Sequence, residues 1–353
     1  MRDTRWHRGA RRRHAGAVQT ADLDIRPVSA EDPGQDDLFR AWAATFDEAG
    51  RHSLGDAHAG WRVEELRELA RSTERRRVSW VAVAGDAVVG ALALTLPQHD
   101  NRTVAEVLLA VRPQHRRRGV GTKLLEAAER AARDEGRSVL LAGTEWAFGE
   151  RDEAGEEFAA RHGYGAAQTI LRSTLSLPAD RDRLRAVLAA RDDGYTTATC
   201  WDGIPDGWLE GRAELSRRMS TDVPLGDLRL EEEVWDEERV RRGYARIAAM
   251  ERRVVDTFAV EQSTGRLVGY SQVQVGAHAD LGYQQDTLVL REHRGHGLGL
   301  RLKAASTLAV MAELPRVRRI RTWNADDNHH MLAVNRELGY EPDAWMREWQ
   351  KVL

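Results

Sequence analysis

Arg294, Gly297 and Gly299 stand in the spacing R-x-x-G-x-G within the stretch Thr287-Leu-Val-Leu-Arg-Glu-His-Arg-Gly-His-Gly-Leu-Gly-Leu-Arg-Leu-Lys303. Apolar alternation ends at Leu290, charged and polar residues follow, and a helical pattern begins just after the glycines. Glycines let successive backbone N–H groups converge on one anion. The positive end of the helix adds roughly 0.3–1 kcal/mol per charge at an exposed site. The chemistry this predicts is a pyrophosphate cradle built from Arg294, Gly295, His296, Gly297, Leu298, Gly299 and Leu300.

A second cradle lies upstream at Arg116, Arg117, Arg118, Gly119, Val120, Gly121 and Thr122, in the same spacing. Arg116 and Arg294 are 178 positions apart, and the pairs Gly163-Tyr164 and Gly339-Tyr340 are 176 apart. Two unrelated motifs at nearly one offset mark an internal duplication. Each cradle needs a strand to deliver it and a helix to receive it. Val104–Arg112 and Gln285–Leu290 read as the strands, about 120–134 and 299–314 as the helices. Before each strand lie a short strand, two helical patterns and a hairpin, and after each helix a buried strand, a helix and a last alternating strand. The organisation expected is a basic arm at 1–17, a first domain at 18–178, a connector at 179–193 and a second domain at 194–353, each domain α+β with a mixed, mostly antiparallel sheet flanked by helices.

Spacing separates the phosphate-binding alternatives. A nucleotide P-loop needs G-x-x-x-x-G-K-[ST], and Gly121-Thr-Lys123 reverses the last pair; a dinucleotide fingerprint needs a third glycine where Leu300 stands. What remains, R-x-x-G-x-G after an apolar strand end, resembles the GNAT superfamily of acyl-CoA-dependent N-acyltransferases, and the resemblance covers both halves. It implies that pantetheine bonds into a gap beside the splayed strand and that the turn amides hold the pyrophosphate of acetyl-CoA or another acyl-CoA. Leu109 and Val111 of the first copy, and Leu288, Val289 and Leu290 of the second, match the strand ends. Asn328 matches an asparagine that meets the cofactor near a helix start, and suits an N-cap equally well. Asp152 stands in its place in the first copy.

Acyl transfer to an amine needs a base for the ammonium proton, worth roughly 10²–10⁴-fold, and donors for the oxyanion. The resemblance places Glu106 as the base of the first copy. Gln284 holds the matching position of the second and cannot act as a base; Asp286, two residues on and so on the same strand face, is chosen instead. The tyrosine that protonates the thiolate in such proteins is replaced by Ala159 and Asn335, of which only Asn335 can hydrogen-bond the sulfur. The second copy is therefore expected to be the working site. Tyr164 and Tyr340 read as core.

The remaining features bound the function. The chain has 353 residues, 42% hydrophobic and 31% charged, with a formal charge of −3, so no nucleic-acid or membrane partner is called for. Its single cysteine, Cys200, excludes an intramolecular disulfide and a multi-thiolate metal site and reads as packing, which suits the cytoplasm. No metal site is expected. The basic arm has no apolar segment behind it and reads as a solvated extension. The acidic run Asp227–Glu238 reads as a solvated helix face with some capacity to attract a cationic amine, and Trp208 and Trp235 as core. The function expected is transfer of a short acyl group to a primary amine of a small molecule, by a monomer or homodimer. The competing expectation is a non-catalytic acyl-CoA sensor or scaffold.

Overall fold

The structure is a computed structural model that describes residues 23–189 and 193–353. The basic arm and part of the connector, 190–192, lie outside the described residues. The first half runs β1 (Leu23–Val28), α1 (Asp36–Leu54), α2 (Val63–Ala70), β2 (Arg75–Ala84), β3 (Ala87–Pro97), β4 (Val104–Val111), α3 (Val120–Asp134), β5 (Val139–Ala147), α4 (Glu153–Arg161) and β6 (Gly165–Ser176). After α5 (Arg181–Ala189) the order repeats: β7 (Tyr195–Trp201), α6 (Leu209–Asp222), α7 (Glu237–Ala249), β8 (Arg252–Glu261), β9 (Leu267–Gly276), β10 (Leu281–Val289), α8 (Leu298–Glu313), β11 (Arg319–Ala325), α9 (His329–Leu338) and β12 (Glu341–Val352). The duplication expected from the spacing is thus present element for element.

Layering explains the burial. In β3, Ala91 and Ala93 pack under Phe39 and Trp42 of α1, while Leu92 and Leu94 pack under Leu124 and Ala128 of α3. A strand covered on both faces is apolar throughout, which is why Val-Val-Gly-Ala-Leu-Ala-Leu reads as a continuous run. Helix α8 is buried on nearly all sides for a similar reason: the connector helix α5 covers it with Leu184, Val187 and Leu188, against Val310, Met311 and Leu314.

The two halves do not form two sheets. All twelve strands form one, in the order β1-β2-β3-β4-β5-β12-β6-β11-β10-β9-β8-β7. The last strand of each half has crossed to the other: β12 pairs with β5 along nine residues, from Ala344↔Ala147 to Val352↔Val139, and β6 pairs with β11 from Arg319↔Ser176 to Ala325↔Ile170. At the seam, fully buried Arg172 of β6 donates to Asp343 of β12 at 2.8 Å and lies 3.5 Å from Glu145 of β5.

The acidic run is also placed differently from its expectation. Residues 223–236 are not a helix face but a strap laid across the first half. Leu228 and Leu230 pack on Val104, Val139 and Leu141, and Glu231 exchanges hydrogen bonds with Asn101 at 2.6 and 3.2 Å. Gly226 (φ 56) carries the strap past β6, where any Cβ would fall 2.4 Å from the Ala167 carbonyl oxygen. Trp235 sits in this strap under the Arg239 guanidinium and packs on Leu209, Ala213 and Val240, and Trp208 packs edge-on against Phe258, each partly buried against the core as expected.

Candidate active site

Each cradle is built the same way. The strand ends, a short turn follows, and an arginine reaches back to the strand: Arg294 Nε donates to the Val289 carbonyl at 3.0 Å, and Arg116 Nε to that of Val111 at 3.3 Å. The arginine of the motif therefore pins the strand end to the turn. Gly297 (φ 68) and Gly119 (φ 77) are left-handed and cap α8 and α3. The first bonds back to these caps come from Arg301 and Lys123, so the amides of Leu298, Gly299 and Leu300, and of Val120, Gly121 and Thr122, precede the helical ladder. Gly295 is left-handed too (φ 86), and in the first copy Arg117 is forced into that conformation (φ 61).

The strand gap is equally plain. Strand β10 pairs with β11 only over Leu281, Gly282 and Tyr283, and β4 with β5 only over Val104–Val107. Beyond those points the strands part while β9 and β3 hold their other edges, with Thr287, Leu288 and Val289 opposite Ser271, Tyr270 and Gly269. Leu288 and Leu290 turn into the core beside Leu215 of α6, and Val289, Leu109 and Val111 are half-buried at the gap.

The copies differ in four ways. First, β10 carries a bulge between Gln284 and Thr287, whereas β4 runs against β3 without a break from Glu106 to Val111. The extra residue corrects two expectations. Gln284 lies opposite Val273, on the α8 face, and is buried with its Nε2 on the Ser271 hydroxyl and the Gln272 carbonyl. Asp286 lies on the other face, exposed, accepting from the Tyr270 hydroxyl at 2.8 Å. The two do not share a face, because a bulge breaks the period of two. The residue at the place of Glu106 is Tyr283, whose ring stacks on Trp323 at 6.0 Å.

Second, Glu106 is ion-paired with Arg75, while Asp286 has no ion pair among the described residues. Third, Gly299 is buried, yet a Cβ built on it would meet no atom within 4 Å; the space beside Gly121 is filled by the Phe158 ring at 3.2 Å. Thr122 is held by His162 at 3.2 Å and Arg117 by Glu157 at 2.7 Å, while Arg118 has no ion pair among the described residues. In the second copy, buried Asp222 at the end of α6 pairs with Arg291 and Arg294, and His296 leans on Tyr195.

Fourth, Asn335 is buried and bonded at both ends. Its Oδ1 accepts from Lys303 Nζ at 2.6 Å, and its Nδ2 donates to Asn324 at 2.6 Å. Burial pulls the Lys303 ammonium down to about 7. Asn328 is the N-cap of α9, its Oδ1 accepting from the Met331 amide at 3.2 Å, as Asp152 caps α4 through Gly155. Tyr164 and Tyr340 are buried as expected, and Cys200, half-buried on β7, has its thiol pushed up by burial.

A polar cluster under α6 and α7 went unforeseen. Asp256 of β8, 1% exposed, accepts from Tyr244 at 2.9 Å and from Gln272 at 3.0 and 3.2 Å. Arg212 of α6 lies 3.9 Å from it and 3.9 Å above the Tyr270 ring. The available signal was polar residues at alternate positions, Gln272 and Gln274, in an otherwise apolar strand.

These cradles, gaps and helices are those of a transferase fold, and the comparisons agree. The acetyltransferase (GNAT) family matches twice, at residues 36–164 and 224–340. A solved tandem GNAT protein from the clavulanic acid biosynthesis pathway, without AcCoA, is 30% identical over 94% of this chain and 98% of its own, with a TM-score of 0.77. A GCN5-related N-acetyltransferase from Sphaerobacter thermophilus shares the fold at 16% identity, over 95% of this chain and 96% of its own, with a TM-score of 0.65. Comparison with the curated proteins gives no match. The chain belongs to the GNAT acetyltransferase family and carries two copies of its domain. Among the described residues no helix is long and apolar enough to cross a membrane.

Proposed function

We propose that the chain moves an acetyl or other short acyl group from acyl-CoA to a primary amine of a small molecule by direct attack, with the second copy as the catalytic site. The observation that carries this choice is the bulge in β10, which sets an exposed Asp286, free of any ion pair among the described residues, beside the strand gap. The matching stretch of β4 has no bulge, and its carboxylate, Glu106, is held by Arg75.

The residues fit an acyl-CoA. The amides of Leu298, Gly299 and Leu300 and the hollow beside Gly299 would hold the pyrophosphate, Asn328 at the start of α9 is a further candidate to meet the cofactor, and the parted edge of β10 would take the pantetheine. Bound acyl-CoA supplies an activated thioester. Arg294 keeps the strand end in place through the Val289 carbonyl. Asp286 takes the proton of the incoming ammonium at Oδ1, since Tyr270 occupies Oδ2. Asn335, locked by Lys303, presents a fixed amide rather than an acid. The first copy is then a second, weaker acyl-CoA site, favoured by Arg118, which has no ion pair among the described residues.

Thiol release with a panel of primary amines tests the reading. Turnover in the wild type, lost in Asp286→Asn and kept in Glu106→Gln, supports it. Cofactor binding without turnover on any amine supports instead the sensor reading, which the engaged Asn335 favours.

A further inference from the structure

The buried cluster under α6 and α7 is linked to the exposed Asp286 through Tyr270. Tyr270 is fully buried, and its hydroxyl donates to Asp286 Oδ2 at 2.8 Å. Its ring carries the Arg212 guanidinium at 3.9 Å, and Arg212 is anchored by Ser216 Oγ and faces Asp256. Behind Arg212, Asp256 is held by Tyr244 of α7 and Gln272 of β9. The groups facing Asp286 are therefore Tyr270 from β9, Arg212 from α6 and Asp256 from β8, with Tyr244 one step further back. Burial works against the charge on Arg212, but Tyr270, Asp256, Tyr244 and Asp286 around it hold it protonated.

Resting on the reading of Asp286 as base, we propose that Tyr270 is a positioning residue that fixes Asp286 as an aimed carboxylate, one oxygen held by the phenol and the other turned to the acceptor. Arg212 is buried and lies over the Tyr270 ring, whereas the Asp286 carboxylate is exposed. With Oδ2 held by the phenol, Oδ1 is the free acceptor for an ammonium N–H.

The test uses the full-length chain. Steady-state turnover of a primary alkylamine with acetyl-CoA reads kcat and each KM separately. Tyr270→Phe keeps the ring under Arg212 and removes only the donor to Asp286; kcat is expected to fall about tenfold while the KM for acetyl-CoA stays as in wild type. Arg212→Lys, which keeps the charge and loses the flat stack, gives a smaller fall in kcat, and serves if Tyr270→Phe fails to fold. A kcat equal to wild type in the folded variants overturns the proposal, as does a fall in kcat with the KM for acetyl-CoA rising in step. Full activity in Asp286→Asn sinks the base assignment separately; a fall in kcat that Tyr270→Phe still causes in the Asp286→Asn background shows that Tyr270 does not act through Asp286.

Discussion

Lys303 and Asn335 meet through a 2.6 Å hydrogen bond in the second copy, at positions filled in the first by Leu125 and Ala159. Both members of the pair are polar in one copy and apolar in the other. An ammonium only donates, so Lys303 fixes the Oδ1 end of the Asn335 amide and turns its N–H end toward Asn324.

That burial has a stability cost that depends on pH. Lys303 is pulled from 10.5 to about 7, so between these values the unfolded chain binds a proton that the folded chain does not. Stability therefore rises as pH climbs from about 7 toward 10.5, by a contribution on the order of 3–5 kcal/mol. Thermal melting across pH should show this rise in the wild type and lose most of it in Lys303→Met. An unchanged slope in the variant would show that Lys303 is not the source.

Glu348 gives the opposite trend. It lies on the exchanged strand β12, opposite Gly143, and burial, with Glu106 and Glu145 near by, pushes its carboxyl up to about 7. The folded state holds a proton that the unfolded state has lost, so its contribution to stability falls as pH rises from about 4.5 to 7. Glu348→Gln is expected to be more stable than wild type by about 1–3 kcal/mol at pH 8, allowing for partial exposure, and nearly equal to it at pH 4. Equal gains at both pH values in denaturant titrations would refute this.

The cradles can be tested by filling them. A side chain at Gly299 has open space before it and a right-handed backbone, so Gly299→Ala should fold as well as wild type and Gly299→Trp should occupy the hollow. Acetyl-CoA binding by calorimetry is expected to weaken at least about tenfold in Gly299→Trp, with turnover lost. Gly121→Val, which must displace Phe158, should leave turnover in place. The reverse pattern would move the active site to the first copy.

Asn328 separates capping from cofactor binding. Asn328→Ala should cost about 1 kcal/mol through the lost cap. Asn328→Asp keeps the acceptor, as Asp152 does in α4, and removes the amide donor. Retained stability with weaker acetyl-CoA binding assigns the amide to the cofactor; retained stability with unchanged binding leaves Asn328 as a cap alone.

What could be read in the sequence was what local chemistry decides. Glycine at Gly297 and Gly119 is demanded by a left-handed cap, and the helices and hairpins follow from apolar periodicity, so cradles and duplication were visible. The exchange of β6 and β12 was not, because an alternating strand such as Thr169–Leu177 fits either neighbour equally well. The bulge escaped for a different reason: one extra residue among Gln284, Gln285 and Asp286 leaves no apolar marker of its phase. Glu106 looked like a free base because its partner, Arg75, lies 31 positions back in sequence and across β3 in space.

The order of the strands also sets the order in which the halves can be finished. The slot between β5 and β6 is filled by β12, the final strand of the chain. Until those residues leave the ribosome, the first half has both flanking edges unpaired, although all its own strands have been made. The copy synthesised first is therefore the one that must wait for the second copy's last strand to close its sheet.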